Sequence, residues 1–386
     1  MVAERFISRK LKFQGNVAAI AIAVSFFVII VAVAVSSGFR NEIREGVAAM
    51  TGDVSISPFP SGADEPESLP VHLEEESAVL SLPGVKDITP VVVRAGIVKN
   101  GDTVHGVMVK GVPSTGRESL EVSIPQRLSE ILGLQEGDDL TTYFVGEKLR
   151  VRKFHIAEVH RDLVELDDNL LVYANLEDMQ RLCGWDEDKA GVLEVRLSDR
   201  YSSARMSRLK ADELYLTALT AHREEEEILR AATARQRYPQ LFDWLDLIDF
   251  NVLAIILLMT VVAGFNMISG LLILLFRHIS TIGTLKALGM ANKQIAGVFL
   301  RVAARIVLAG MVIGNGAALL FCLLQDSTHL IRLNPENYFV SFVPVHIDPA
   351  LVALVDVLAF AVIMLLLLIP TLFISKVDPA KTVRVR

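Results

Sequence analysis

Four long runs without charged side chains constrain this chain more than any other feature of its sequence. They cover residues 17–37, 250–276, 306–325 and 357–375, and we extend the last one back to residue 350. A helix of about 20 apolar residues crosses the hydrocarbon core of a bilayer, so each run predicts a membrane span. The chain is 52% hydrophobic but also 22% charged, which predicts a large domain outside the membrane as well.

The spans divide the chain into segments. The first run is about twice as long as the apolar part of a signal peptide and lacks a small-residue cleavage pattern, which favours a retained span. The predicted segments are an amphipathic N-terminal segment (1–16), span one (17–37), an outer domain (38–249), span two (250–276), a short basic region (277–300), span three (301–325), an outer loop (326–349), span four (350–375) and a tail (376–386).

The charges on these segments predict their orientation. Residues 38–249 hold 39 Asp or Glu against 24 Lys or Arg, a net charge of −15. The two ends and residues 277–305 together hold 13 Lys or Arg against two Asp or Glu, a net charge of +11. Short basic loops stay in the cytoplasm, so both termini are expected inside and the large domain outside.

The outer domain has the pattern of a mixed α+β fold. Residues 82–112 read as short strands rich in β-branched residues, with a hairpin turn at Asn100-Gly101-Asp102. One helix is expected to end near Gly133, and another to begin after Asn175 and end at Gly184. A charged helix is expected from residue 223 to residue 249, leading into span two, with the acidic run at 224–227 on its solvated face.

A search for catalytic chemistry finds none. The sequence has no Gly-Lys pair and therefore no phosphate-binding P-loop, and no serine lies in a Gly-x-Ser-x-Gly motif. His155 and His160 are five residues apart, a spacing that places them on different faces, so neither a metal nor a cofactor is expected. Cys183 and Cys322 lie in different segments, so we expect no disulfide between them.

The short stretch between spans two and three has a helical pattern of its own. Ile279, Ile282, Leu285 and Leu288 form an apolar stripe, Gly289 is placed to end the helix, and Asn292 can cap the next one. The stripe fits either an amphipathic helix on the membrane surface or a helix that docks on a partner protein. Further along, Gly310-x-x-x-Gly314 predicts a close approach of two helices.

Residues 265–300, FNMISGLLILLFRHISTIGTLKALGMANKQIAGVFL, closely resemble the second span and coupling helix of the LolC/LolE-type lipoprotein-releasing permeases. These belong to the MacB/FtsX-like class of ABC transporter permeases. Further similar stretches occur along nearly the whole chain: FISRKL, SGFRNEIREGVAAMTGDVSIS, GVKDITPVV, GVMVKGV, LGLQEGD, NLEDMQRLCGW and VDPAKTVR. Many members carry an acidic residue before the Ile-Gly pair, whereas this chain has Ser280-Thr281, which removes one salt bridge to the partner.

The resemblance implies a fold, a location and partners. It implies four transmembrane helices in the bacterial inner membrane, a large MacB-like α+β domain in the periplasm, and cytoplasmic termini. Two permease copies, or one copy and a paralogue, would bind two cytoplasmic ATPase subunits through their coupling helices. The ATPase would bind the ATP, and its closure would drive release of an acylated lipoprotein to a soluble periplasmic carrier, by mechanotransmission and without a pore.

The resemblance also implies candidate site residues. The residues expected to contact the ATPase are Ile279, Thr281, Ile282, Gly283, Leu285, Lys286, Leu288 and Gly289. Phe26, Phe27 and Met50, in or just outside span one, are candidate contacts for acyl chains. Two alternative functions stay open, namely a MacB-like efflux permease and an FtsX-like protein that signals across the envelope. The first usually carries a fused ATPase and the second a smaller outer domain.

Overall fold

The computed structural model divides the chain into two compact units. A helical unit comprises residues 1–41, 244–332 and 342–386, and an α+β unit comprises residues 42–243 and 333–341. The described residues are 16–58, 71–72, 79–113, 118–144, 149–161, 170–198, 201, 204–221, 229–334 and 338–372. The predicted segments at residues 1–15 and 376–386, and the acidic run at 224–227, lie outside these ranges.

The four apolar runs all form helices that are long and apolar enough to span a membrane, as predicted. They are α1 (Asn16–Thr51), α6 (Pro239–Arg277), α8 (Asn292–Thr328) and α9 (Pro349–Leu366), with a short α7 (Ile279–Ala287) before α8 and α10 (Leu368–Thr371) at the end. Helices α1, α6 and α8 extend well beyond the apolar runs. Pro349 occupies the first helical position of α9, and Asp348 caps it through hydrogen bonds to two backbone N–H groups.

One predicted helix is wrong. The charged helix expected from residue 223 does not include Leu229–Thr233, which forms strand β11 and pairs with Val54–Pro58. After it comes a single turn, α5 (Ala234–Arg237), in which Thr233 and Gln236 cap each other. The long helix starts only at Pro239, which lacks a backbone N–H and fits a helix start.

Helices α1 and α8 pack closely through glycine, as the Gly-x-x-x-Gly pattern predicted. A Cβ atom on Gly310 would lie 2.7 Å from Cγ2 of Ile22, and one on Gly314 would lie 2.4 Å from the carbonyl oxygen of Ala23. Neither position has room for a larger side chain. Small residues allow this backbone approach between membrane helices, where lipid is as apolar as the protein interior.

The α+β unit contains a nine-stranded sheet in which six strands close on themselves. The strands are β1 (Val54–Pro58), β2 (Val71–His72), β3 (Val85–Asn100), β4 (Thr103–Val112), β5 (Glu121–Pro125), β6 (Asp139–Phe144), β7 (Arg150–His160), β8 (Leu171–Asn175), β9 (Lys189–Ala190), β10 (Val192–Leu197) and β11 (Leu229–Thr233). The helices are α2 (Gln126–Leu132), α3 (Leu176–Cys183) and α4 (Ala204–Ala221). The order of the nine-stranded sheet is β11-β1-β10-β3-β4-β8-β5-β7-β6, and β6 pairs back onto β3; β2 and β9 form a separate two-stranded sheet.

Strand β3 belongs to both halves of this sheet. Its first half pairs with β10, and its second half pairs with β4 and β6 to close the six-stranded barrel. The barrel encloses one apolar core that includes Phe154 and Ile156, while β1, β10 and α4 surround a second core that includes Ile56 and Leu214. The predicted hairpin is confirmed, since Asn100 pairs with Thr103 across Gly101-Asp102.

The predicted ends of two helices in this unit are also confirmed. Helix α2 ends before Gly133 and α3 before Gly184, and both glycines adopt a left-handed conformation (φ +65° and +75°) that favours glycine. Asn175 precedes α3 as predicted, although its side chain makes no capping hydrogen bond.

Candidate coupling site

Helix α7 is a separate short helix held between two membrane helices. The chain leaves α6 at His278, whose backbone is not helical (φ −107°, ψ 22°). Helix α7 ends in a Schellman motif, because the N–H of Gly289 donates to the carbonyl of Lys286 (2.9 Å) and that of Met290 to the carbonyl of Leu285 (3.0 Å). Gly289 has φ +85°, so its predicted role as the helix-ending glycine is confirmed.

Helix α8 begins one residue from the position expected for its cap. Asn292 is the first residue of α8 and not its cap. The cap position is Ala291, whose backbone N–H donates to the side-chain oxygen of Gln294 (3.3 Å). The stretch of four residues between α7 and α8 therefore has local hydrogen bonds at both of its ends. The position of α7 relative to α8 is therefore set by hydrogen bonds within this short stretch.

The inner face of α7 packs against the helical unit itself. Ile282 is 1% exposed and lies in a buried cluster with Leu274 of α6 and Phe299 of α8. Gly283 is buried too, and Leu285 packs against the same cluster. Ile282 and Gly283 were predicted to contact an ATPase, but in this structure the chain's own helices cover Ile282, and Gly283 is buried as well.

The outer face of α7 is exposed and carries no acidic residue. Ser280, Thr281, Thr284, Ala287 and Leu288 are all exposed. Leu288 is 78% exposed, although it is a large apolar side chain. Of the other predicted contact residues, Gly289 is exposed, while Ile279 and Lys286 are half-buried. A surface suited to another protein therefore centres on Thr281, Thr284 and Leu288.

The three predicted lipid contacts differ in exposure. Phe26 is fully buried among the helices, and Met50 is 8% exposed in the α+β unit, so neither side chain is available to an acyl chain in this structure. Phe27 is half-buried, packs edge-on to Phe321 (6.0 Å between ring centroids), and lines an apolar groove of about 240 Å³ between α1 and α8. Of the three side chains, Phe27 is the most exposed, and contact with acyl chains stays a prediction.

Polar side chains that the sequence reading missed join α1 to α6. The Ser36 hydroxyl donates to Oδ1 of Asp249 (2.5 Å), Arg40 forms a salt bridge with the same carboxylate, and Phe39 packs edge-on to Trp244 (5.6 Å). Ser, Arg and Asp at the ends of two predicted spans are the signal that could have found this cluster. It fastens the two helices together where their apolar runs end.

Another missed hydrogen bond lies within the apolar part of the helical unit. The side-chain amide of Asn315 in α8 donates to Oδ2 of Asp356 in α9 (2.5 Å), and Asp356 is 9% exposed. Polar side chains inside a membrane helix face protein partners because lipid offers none. This bond fixes how α8 and α9 lie against each other.

A buried polar pair lies in the α+β unit. Nζ of Lys110 in β4 donates to Oε2 of Glu194 in β10 and to the carbonyl oxygen of Met50 in α1, both at 2.6 Å. The two side chains are 4% and 7% exposed. Burial raises the pKa of Glu194 and outweighs the opposing attraction of Lys110. Lys110, flanked by apolar residues in GVMVKGV, was the signal available in the sequence.

The pair lines an open cleft of about 450 Å³ in the same unit. Ser123 and His160 also line this cleft, with 2.7 Å between the Ser123 hydroxyl and Nδ1 of His160. The cleft contains no recognisable catalytic arrangement. Nor does any group of three or more His, Cys, Asp or Glu side chains in the described ranges have the geometry of a metal site.

Comparison with known proteins gives relatives along nearly the whole chain. A family model described as the FtsX-like permease C-terminal region matches residues 253–379. The chain is 22% identical to the lipoprotein-releasing system transmembrane protein LolC of Neisseria meningitidis, covering 96% of this chain and 93% of LolC. It is 22% identical to LolC of Xylella fastidiosa (97% and 94% covered) and 23% identical to LolE of Haemophilus influenzae (94% and 92% covered).

Two solved structures match part of the chain. The periplasmic region of MacB from Actinobacillus actinomycetemcomitans covers 51% of this chain and 95% of its own length, with 13% identity and a TM-score of 0.33. The extracellular domain of the ABC-type transporter YknZ covers 47% of this chain and 99% of its own length, with 12% identity and a TM-score of 0.31.

Proposed function

We propose that this chain is a permease of the LolC/LolE type, which couples ATP hydrolysis by a separate cytoplasmic ATPase dimer to the release of lipoproteins from the bacterial inner membrane; its similarity to LolC and LolE over nearly its whole length supports this. It acts beside a second permease, either a copy or a paralogue, and passes the acylated protein to a periplasmic carrier. Its termini and α7 face the cytoplasm, and the α+β unit faces the periplasm. The charge difference between the segments supports this orientation.

The observation that carries the proposal is the two-sided character of α7. Its inner face is anchored by Ile282 in the helical cluster, and its outer face presents Thr281, Thr284 and Leu288. Thr281, Thr284 and Leu288 are exposed together on this short helix, and they remain available to a partner, whereas the buried stripe residue Ile282 does not. We therefore centre the proposed ATPase contact on the exposed end of the stripe, Leu288, and its exposed neighbours.

The packing of α7 gives the proposal a mechanism. Ile282 contacts the cluster that contains Leu274 of α6 and Phe299 of α8, and closely packed side chains cannot be displaced singly. A push on α7 therefore displaces α6 and α8 as well. Helix α6 is fastened to α1 through Asp249, so α1 moves with it. Motion is transmitted along helices, and no channel through the spans is needed.

The experiment replaces Leu288 by Asp in the full chain, co-expressed with its ATPase. A charge buried at a protein contact without a partner is strongly unfavourable, so Leu288→Asp should release the ATPase on co-purification and abolish lipoprotein release. The matched control is Leu330→Asp, since Leu330 is 77% exposed in the same unit but lies outside α7. The control should keep both the ATPase and the release activity.

The outcome separates the functions that the sequence left open. Retention of the ATPase by Leu288→Asp would show that α7 lies on lipid and would contradict the docking surface. An intact complex that hydrolyses ATP but releases no lipoprotein in the wild-type form would instead favour efflux or signalling. The first result comes from the Leu288→Asp preparation and the second from the wild-type complex, so the two outcomes are separate tests.

A further inference from the structure

The end of helix α1 is held by a side chain from the sheet. Met50 lies in the last turn of α1, where backbone carbonyls lack helical partners, and Nζ of Lys110 donates to its carbonyl oxygen at 2.6 Å. The same Nζ donates to Glu194 at 2.6 Å. Lys110 and Glu194 come from β4 and β10, which pair with different halves of β3, so the contact joins the helix end to both halves of the sheet.

The chain after Met50 is fixed just as closely. Gly52 adopts φ +70°, and a Cβ atom there would lie 3.0 Å from the backbone nitrogen of Val195. Asp53 donates its N–H to the carbonyl of Val195 (2.9 Å), and its carboxylate accepts from the N–H of Leu197 (2.8 Å). Arg44, which lies earlier in α1, forms a salt bridge with the same carboxylate, with 3.5 Å between its Nη2 and Oδ1 of Asp53. Hydrogen bonds and a close backbone contact therefore fix the end of α1 against β10.

Stability alone is a weak explanation for the buried pair. Removing two charged groups from water is expensive, and apolar residues of similar volume in place of a buried pair are often neutral or stabilising. A buried polar pair can instead fix one arrangement among several of similar energy. Here the arrangement that it fixes is the position of the α1 end between β4 and β10.

We propose that Lys110 and Glu194 are positioning residues for the release reaction, which hold the end of α1 so that its displacement is delivered to the sheet. This inference rests on the proposed function, because it assumes that ATP hydrolysis displaces α1. Without the Lys110 contact, α1 moves at its end relative to the sheet, and ATP is hydrolysed with little release. The pair therefore governs coupling efficiency and not ATPase docking.

The test uses the full permease with its ATPase in proteoliposomes, and measures ATP hydrolysed and lipoprotein released in the same sample. The double variant Lys110→Met with Glu194→Met removes both charges at similar volume, so no unpaired charge stays buried. We expect its hydrolysis to be unchanged and its release per ATP to fall about tenfold, the scale of a coupling defect of 1–2 kcal/mol. Glu194→Gln should keep release, since its amide oxygen still accepts from Lys110.

The matched control is the exposed pair of the same unit. Lys153 and Asp139 are 2.7 Å apart, with 67% and 50% of their side chains exposed, and they contact no helix end. Lys153→Met with Asp139→Met should leave both measurements unchanged. If the buried double variant released lipoprotein as well as the wild type, the inference would be overturned, whereas a wild-type complex without release would overturn the proposed function instead.

Folding failure is also decisive. The variant Lys110→Met with Glu194→Gln keeps a neutral polar group at the second position and serves if the double methionine variant does not assemble. Failure of both variants to assemble with the ATPase would show that the pair is needed for folding itself, which would overturn a specific role in coupling.

Discussion

The two units of this chain differ in where their large apolar side chains lie. In the α+β unit the large apolar residues are inside, as Phe154 (2% exposed) and Ile156 (0%) show. In the helical unit many are outside, among them Phe265 (64%), Leu257 (67%) and Val312 (69%). Lipid is as apolar as a protein core, so the helical unit gains little by burying these residues.

The difference teaches what stabilises each unit. Removal of apolar surface from water stabilises the α+β unit, so its stability depends on large core side chains. The helical unit depends on close fit instead, and so on small residues where helices meet. The same substitution should therefore have different effects in the two units, and three experiments can contradict or refine this view.

The largest effect is expected from loss of a core phenylalanine. Phe154 packs edge-on to Phe144 (6.4 Å between ring centroids) inside the barrel, so Phe154→Ala should leave a cavity and lower the free energy of unfolding by about 3–5 kcal/mol. Phe265→Ala, in a membrane span, should change it little because lipid fills the space. Urea unfolding of the detergent-solubilised chain measures both. Equal losses in the two variants would contradict the comparison.

A smaller effect with the reverse pattern is expected from glycine in the helical unit. Gly314→Leu places atoms where the Ala23 carbonyl already lies, and such overpacking costs about 1–3 kcal/mol. Gly316 lies on the same helix, but a Cβ there would meet no atom within 4 Å, so Gly316→Leu is the matched control. Thermal denaturation in detergent should show a lower Tm for Gly314→Leu alone. Leucine has a higher helix propensity than glycine, so a similar decrease in both variants would mean that the close contact at Gly314 is not the cause.

Features with a local signature could be predicted from the sequence. The four spans follow from unbroken apolar runs, and Gly133, Gly184 and Gly289 end helices because only glycine readily adopts the left-handed conformation required there. The Gly310-x-x-x-Gly314 contact also follows from spacing alone. Each of these signals is contained within a few residues, so no knowledge of distant chain is needed.

Features that depend on distant residues could not be predicted. Ile282 belongs to an apolar stripe, but which protein covers a stripe depends on helices that precede and follow it. Leu229–Thr233 reads as helical from its neighbours, yet it pairs with β1 about 175 residues away. Lys110 and Glu194 are likewise brought together only by the sheet order. Tertiary context overrides local propensity in all three cases.

The smallest effect is expected from pH, and it separates the exposed pair from the buried one. A hydrogen bond from Lys153 lowers the pKa of Asp139 at the barrel surface, whereas burial raises the pKa of Glu194. A lowered pKa in the folded state contributes stability above the unfolded pKa, and that stability is lost as pH falls through the folded pKa. A raised pKa in the folded state gives the opposite dependence of stability on pH. Its contribution to stability is present in acid and is lost as pH rises through the folded pKa.

Urea midpoints measured at a series of pH values test this last prediction. At pH values above the unfolded pKa of about 3.9, Asp139→Asn should lower the urea midpoint. The decrease should be small because solvent screens an exposed pair. In stronger acid the substitution should have no effect. Glu194→Gln should remove the loss of stability that the wild type shows as pH rises through the folded pKa of Glu194. Parallel pH profiles for the two variants would mean that burial does not dominate at Glu194, and that the Lys110 contact sets its protonation instead.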